Sequence, residues 1–123
     1  MQSSNCVAII MATYNGEKYI SKQLDSIINQ AYKNIKIYIN DDCSTDNTYS
    51  ILKQYQKKYP YLINIKQNKN NIGFIKNFET LIKNCNEDFI ALSDQDDIWD
   101  KNKLSKQMEI ILKYDFQNTP LMI

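Results

Sequence analysis

The chain has 123 residues, 43% hydrophobic and 24% charged, which allows one domain with a sizeable core and argues against disorder. Fifteen lysines and arginines against 14 aspartates and glutamates leave a net charge of +1, no electrostatic footprint for nonspecific nucleic-acid binding. Histidine is absent, which removes imidazole zinc sites, Ser-His-Asp and Cys-His nucleophiles, and any imidazole general base.

The elements follow in strand–helix alternation. Cys6-Val7-Ala8-Ile9-Ile10-Met11-Ala12 is a continuous apolar run, the pattern of a strand buried on both faces. Ile20, Leu24, Ile27, Ile28 and Ala31 follow at helical spacing. A second strand is predicted over Ile35 to Ile39. Ser44-Thr45-Asp46-Asn47 then supplies N-cap residues for a helix marked by Ile51, Leu52, Tyr55 and Tyr59 and stopped by Pro60. Leu62 to Ile65 is a weaker third strand. Gly73 opens a third helix with Phe74, Phe78, Leu81 and Ile82 as its expected buried face. Phe89 to Leu92 is the fourth strand, and Leu104, Met108, Ile111 and Leu112 share one face of a fourth helix. The terminal Pro120-Leu121-Met122-Ile123 reads as the start of a further strand, so residues 1–123 are expected to be a single domain truncated at its C-terminus.

This alternation predicts an α/β fold with a mostly parallel, doubly wound sheet and helices on both faces. Ligands in such sheets bind beyond the carboxyl ends of the strands, near the switch point. The unusual polar clusters fall there: Thr13-Tyr14-Asn15, Asp41-Asp42, Asn70-Asn71-Ile72-Gly73 and Asp94-Gln95-Asp96-Asp97. Clustered carboxylates at the mouth of a buried strand repel one another unless a cation sits among them. Hard oxygen donors of this kind suit Mg²⁺ or Mn²⁺.

Cys6, Cys43 and Cys85 show no CxxC spacing, so neither a disulfide framework nor a zinc cluster is implied, and a reducing, cytoplasmic setting is expected. No apolar stretch approaches the ~20 residues that span a bilayer. Contact with the inner face of a membrane stays open.

Four segments resemble glycosyltransferase family 2, with its GT-A nucleotide-sugar fold. They are Val7-Ala8-Ile9-Ile10-Met11-Ala12-Thr13-Tyr14-Asn15-Gly16, Asn40-Asp41-Asp42-Cys43-Ser44-Thr45-Asp46-Asn47-Thr48, Asn71-Ile72-Gly73-Phe74-Ile75-Lys76-Asn77 and Ala91-Leu92-Ser93-Asp94-Gln95-Asp96-Asp97-Ile98-Trp99. They occur in the family's order and cover residues 6 to about 104. Cys43 stands where the family often has glycine, a departure that leaves the acidic pair intact.

The resemblance implies roles for matching residues. Tyr14, flanked by Thr13 and Asn15, corresponds to the aromatic that packs against the nucleotide base. Asp42 corresponds to the carboxylate that accepts the N–H of uracil or thymine; Asp41 either takes that job or supports the loop. Lys76 and Asn77 follow the family's pattern near the nucleotide. Asp94-Gln95-Asp96 matches the DXD motif. Alternate residues of an extended segment point the same way, so Asp94 and Asp96 can face one ligand together; the resemblance implies that Asp96 binds the metal, while Asp94 lies near the ribose and assists as a second metal ligand. Asp97 is expected to cap the next helix. Trp99 either lines the sugar site or sits in the core.

The implied activity is an inverting, metal-dependent transfer of a sugar from a UDP- or dTDP-sugar to the hydroxyl of a saccharide or lipid-linked saccharide, in bacterial surface polysaccharide synthesis. No general base is identified in the chain; it is expected in the part of the enzyme beyond residue 123, which would leave residues 1–123 alone inactive and prone to self-association. Two alternatives are a non-catalytic nucleotide-binding module and a phospho-acceptor signalling domain. The second requires an acidic pair after the first strand, where this chain has Thr13-Tyr14-Asn15.

Overall fold

A computed structural model of the chain describes residues 5–94, 97–113 and 121–122. The strands are β1 (Val7–Thr13), β2 (Ile35–Asp41), β3 (Ile63–Gln67), β4 (Phe89–Ser93) and β5 (Leu121–Met122); the helices are α1 (Ile20–Ile28), α2 (Thr48–Lys58), α3 (Phe74–Lys83) and α4 (Lys103–Lys113). The sheet runs β3-β2-β1-β4-β5, every pairing parallel. Chain order reverses direction between β1 and β4, which makes the crevice beyond their carboxyl ends the natural ligand site. A phospho-acceptor domain of the flavodoxin-like kind would instead show the order 2-1-3-4-5.

β1 is central, and its seven residues VAIIMAT are all buried, as the unbroken apolar run predicts. Alternate residues face two cores. Val7, Ile9 and Met11 join Leu24 and Ile27 of α1, Leu52 of α2, and Leu104 and Met108 of α4. Ile10, Ala12 and Ile90 meet Phe78 of α3 on the other face. None of the described helices is long and apolar enough to cross a membrane.

Four expectations change. β2 runs on through Asp41 instead of ending at Ile39, because Asn40 and Asp41 remain in register with Ala12 and Thr13. Phe74 is 55% exposed: it occupies the first position of α3, above the sheet's end, and meets Phe78 edge-on at 4.8 Å. Leu112 is also exposed, leaving Leu104 and Met108 as the buried residues of α4. Asp97 does not cap α4; its carboxylate accepts the Trp99 indole N–H at 3.2 Å, while the Asp100 carboxylate accepts the Asn102 N–H at 3.0 Å at the helix entrance. Trp99 itself is 5% exposed and packs in the core, so the core reading of that residue holds.

Candidate nucleotide-binding site

The loops after β1 and β2 are stitched into one unit. The Asp42 N–H extends the strand pairing to the Thr13 carbonyl at 2.8 Å. The Asn15 N–H reaches Ser44 Oγ at 2.9 Å and the Gly16 N–H reaches Thr48 Oγ1 at 2.7 Å. In return, Asn15 Oδ1 accepts the Thr45 N–H at 2.8 Å, so this side chain closes a loop rather than pointing into the crevice. Asn15 and Cys43 both take left-handed backbone angles, φ 49° and 64°. Asparagine tolerates that region better than most side chains. At Cys43, glycine would relieve the strain, and the family's usual residue there is consistent with it.

The acidic pair divides its work. Asp41 is fully buried and saturated: Thr13 Oγ1 donates at 2.7 Å, Ser44 Oγ at 2.6 Å, the Ser44 N–H at 2.9 Å and Gln67 Nε2 at 3.1 Å. A carboxylate holding four donors supports the loop. Asp42 instead holds the segment after β3, accepting the Ile72 N–H at 2.8 Å, the Gly73 N–H at 2.9 Å and the Asn68 amide at 2.9 Å. Burial pushes this carboxyl up, but those three hydrogen bonds overcome it and hold the group below its ordinary 3.8. Asp42 is therefore an anion at neutral pH, with Oδ2 carrying only the Gly73 bond among those described.

A cavity of about 350 Å³ opens beside it, lined by Ala12, Thr13, Tyr14, Asp42, Asn71, Gly73, Phe74 and Asn77. Of the residues expected to contact donor, Thr13, Tyr14, Asp42 and Asn77 line this space; Lys76 is exposed on α3 and does not. Tyr14 is 42% exposed and, with Phe74, gives the cavity two accessible aromatic surfaces. Asn77 is fixed from below: it accepts from Asn40 Nδ2 and, at 3.2 Å, from Asn68 Nδ2, and it donates to the Asn40 carbonyl at 2.8 Å. Sequence reasoning passed over Asn40 and Asn68. The one local signal was a polar Asn40 at the end of an otherwise alternating strand. Phe74 was taken for core because its spacing fits the helix period.

The acidic loop stands next door. Ser93, the last residue of β4, pairs with Met11 of β1, the residue before Ala12 of the cavity, and Asp94 follows Ser93 directly. The Asp94 side chain is exposed. Asp96, the other expected metal ligand, lies outside the described residues, as does Gln95. Among the described residues no three Cys, Asp or Glu side chains gather to hold a cation. An exposed carboxylate beside an open cavity still fits Mg²⁺ or Mn²⁺, which use one or two protein carboxylates and fill the remaining positions with phosphate oxygens and water.

Comparison with known proteins places this geometry. The model of glycosyl transferase family 2 matches residues 8–119. The dTDP-rhamnosyl transferase RfbG of Shigella flexneri is 48% identical over 106 residues, covering 83% of this chain and 37% of that protein. TarS of S. aureus, residues 1–349 in complex with UDP, superposes with a TM-score of 0.80 at 30% identity, over 88% of this chain and 32% of that one. The mannosyltransferase PcManGT of Pyrobaculum calidifontis, solved with GDP-Man and Mn²⁺, shares the fold with a TM-score of 0.77 at 23% identity, over 84% of this chain and 31% of that one. The chain thus spans well under half the length of these relatives.

Proposed function

The chain belongs to glycosyl transferase family 2, and from that premise we propose that it forms the donor-binding half of an inverting transferase taking a UDP- or dTDP-sugar. The observation that carries the reading is the cavity between Tyr14, Phe74 and Asp42 at the ends of β1 and β2, with Asp94 one strand away. A pyrimidine stacks on Tyr14 and gives its ring N–H to Asp42 Oδ2. That oxygen suits the task because its carboxyl is held ionised and its position is set by the 72–73 backbone. Thr13 and Asn77 border the base and ribose, and Lys76 stands outside as a surface charge for the diphosphate.

Asp94 and Asp96 hold a divalent cation, which when bound neutralises charge on the departing nucleoside diphosphate. The acceptor oxygen attacks the anomeric carbon from the face opposite the diphosphate; the sugar–phosphate bond breaks and the hydroxyl proton passes to a general base. Residues 5–94 and 97–113 supply donor contacts and orientation in this scheme, and the base belongs to the acceptor half of the enzyme. The acceptor is a saccharide or lipid-linked saccharide of a bacterial surface polymer, a reading supported by the likeness to a dTDP-rhamnosyl transferase. In this reading the reaction is cytoplasmic.

Titration calorimetry with UDP, dTDP, GDP and ADP tests this directly. Pyrimidine nucleotides are expected to bind at least tenfold more tightly than purine ones, and Tyr14→Ala to weaken UDP and dTDP binding at least fivefold. Stacking is worth about 1–3 kcal/mol per base. Equal affinity for all four nucleotides would remove Asp42 from base recognition, and an unchanged affinity in Tyr14→Ala would remove Tyr14.

A further inference from the structure

Three polar side chains, Gln23 and Ser26 of α1 and Gln30 just beyond its end, follow one another at steps of three and four. Two of them are fully buried: Gln23 and Gln30 are each 0% exposed. A side-chain amide is costly to bury unless its hydrogen bonds are made. Nothing in the packing of α1 on β1 calls for amides, since Leu24 and Ile27 already fill that contact.

Besides bonds to the α1 backbone (Ser26 Oγ to the Gln23 carbonyl at 2.7 Å and Gln30 Nε2 to the Ser26 carbonyl at 3.1 Å), these side chains reach the end of β4 and the segment that leaves it. Gln23 Nε2 donates to Ser93 Oγ at 2.9 Å and to the Asp94 carbonyl. Ser26 Oγ accepts the Trp99 N–H at 3.0 Å. Gln30 Nε2 donates to the Asp100 carbonyl at 2.6 Å, and its Oε1 accepts the Leu104 N–H at 3.1 Å. The Ala31 N–H adds a bond to the Lys101 carbonyl at 2.9 Å. The chain on either side of the acidic loop is therefore tied to α1 and the turn that follows it, and α1 is packed against β1, the strand that ends in the base pocket.

We infer that α1 sets the position of the acidic loop relative to the base pocket, with Gln23 as the positioning residue that orients Asp94 through its carbonyl. This rests on the reading of Asp94 as a metal ligand. A carboxylate must meet the cation and the diphosphate at once, while the base is fixed a strand away. Locating the two subsites from a common helix keeps that separation constant.

Gln23→Met preserves length and packing and removes both donors; Ser26→Ala removes the acceptor of the Trp99 N–H together with the hydroxyl's own bond to the Gln23 carbonyl. Each is compared with the wild-type chain by hydrogen exchange and by UDP calorimetry, the latter in excess Mn²⁺ and in excess EDTA. Exchange at the Asp97 and Trp99 amides is expected to rise at least tenfold in Gln23→Met, and at Trp99 in Ser26→Ala. In Gln23→Met, UDP affinity in EDTA should stay within twofold while the Mn²⁺-dependent gain falls at least tenfold. Equal losses in both arms would mean that Gln23 only stabilises the fold, and unchanged exchange would mean that α1 does not clamp the loop; either overturns the inference. A wild-type affinity indifferent to Mn²⁺ would instead break the metal reading and with it the functional half of this inference, while the exchange data, which need no ligand, decide the clamp on their own.

Discussion

The carboxylate of Asp42 and the backbone N–H of Gly73 lie 2.9 Å apart, joining the end of β2 to the first turn of α3 across 31 residues of chain. Through that bond one wall of the cavity is fixed to the other. Asp42→Asn keeps the shape but turns the amide hydrogens toward either the Gly73 or the Ile72 N–H, placing donor against donor. We expect a loss of about 1–3 kcal/mol, the cost of a buried group left unsatisfied, measured by denaturant unfolding.

The pH dependence of that loss has a definite sign. The Asp42 carboxyl is held below 3.8 in the folded chain, where hydrogen bonds to Ile72, Asn68 and Gly73 outweigh the burial that pushes it up. Its contribution is present above the unfolded value and fades as pH falls through the folded one. The stability gap between wild type and Asp42→Asn should stay level from neutral pH down to about 4 and close below that. A gap that widens in acid would contradict the assignment of these bonds to an ionised Asp42.

Gly73 has φ 94° and ψ 156° at the entrance of α3, a region that is essentially glycine's alone. A Cβ there would meet nothing within 4 Å, so the whole penalty of Gly73→Ala is backbone strain. About 1–3 kcal/mol is expected. The Ala variant should also loosen the Ile72 and Gly73 bonds to Asp42, raising amide exchange at both positions. A neutral substitution would show that the loop can relax without its bond to Asp42.

The strands and the placing of the site were legible because they depend on local pattern. The run from Cys6 to Ala12 can only be a buried strand, and polar clusters directly after apolar runs mark the carboxyl edge. The polar interior was not legible. Asn40, Asn68 and Asn77 meet across separations of 9 to 37 residues, and Gln23 reaches Ser93 across 70; no periodicity carries such partners. Phe74 misled for a different reason. Helical spacing assigns a face, but a first-turn residue of α3 stands beyond the sheet and has no strand beneath it. Asp97 precedes the fourth helix in sequence, but Trp99, two residues on, takes its carboxylate.

In the middle of β2, Tyr38 offers a test in alkali. Burial, then the charge of Glu87 and a hydrogen bond to it, push the Tyr38 phenol up to about 12 from 10.0. A raised folded value means the neutral phenol is favoured by folding, so its contribution is complete below pH 10 and lost as pH rises toward 12. Tyr38→Phe cannot ionise. The stability advantage of wild type over this variant should therefore shrink between pH 10 and 12. Tyr32 and Tyr55 are also raised but cancel in the difference. A constant advantage across that window would place the Tyr38 phenol outside the Glu87 contact.

The acidic loop decides whether donor binding depends on metal. Asp94, Asp96 and Asp97 are three carboxylates within four residues, and of the two described, Asp97 is committed to the Trp99 indole while Asp94 is exposed. Asp96→Ala should relieve like-charge repulsion and leave the apo melting temperature equal or slightly higher, since an exposed pair interaction rarely exceeds about 1 kcal/mol. UDP or dTDP at a hundredfold excess over its dissociation constant with Mn²⁺ should stabilise the wild type by ~2.7 kcal/mol. Most of that gain should vanish in EDTA, in Asp96→Ala and in Asp94→Ala, whereas Asp97→Ala should lower the apo stability through the lost indole bond and keep its metal response. If Asp97→Ala alone abolished the metal response, the ligand would have to move to a carboxylate that Trp99 holds away from the cavity. If all three variants kept it, the cation would belong to the nucleotide phosphates without help from this loop.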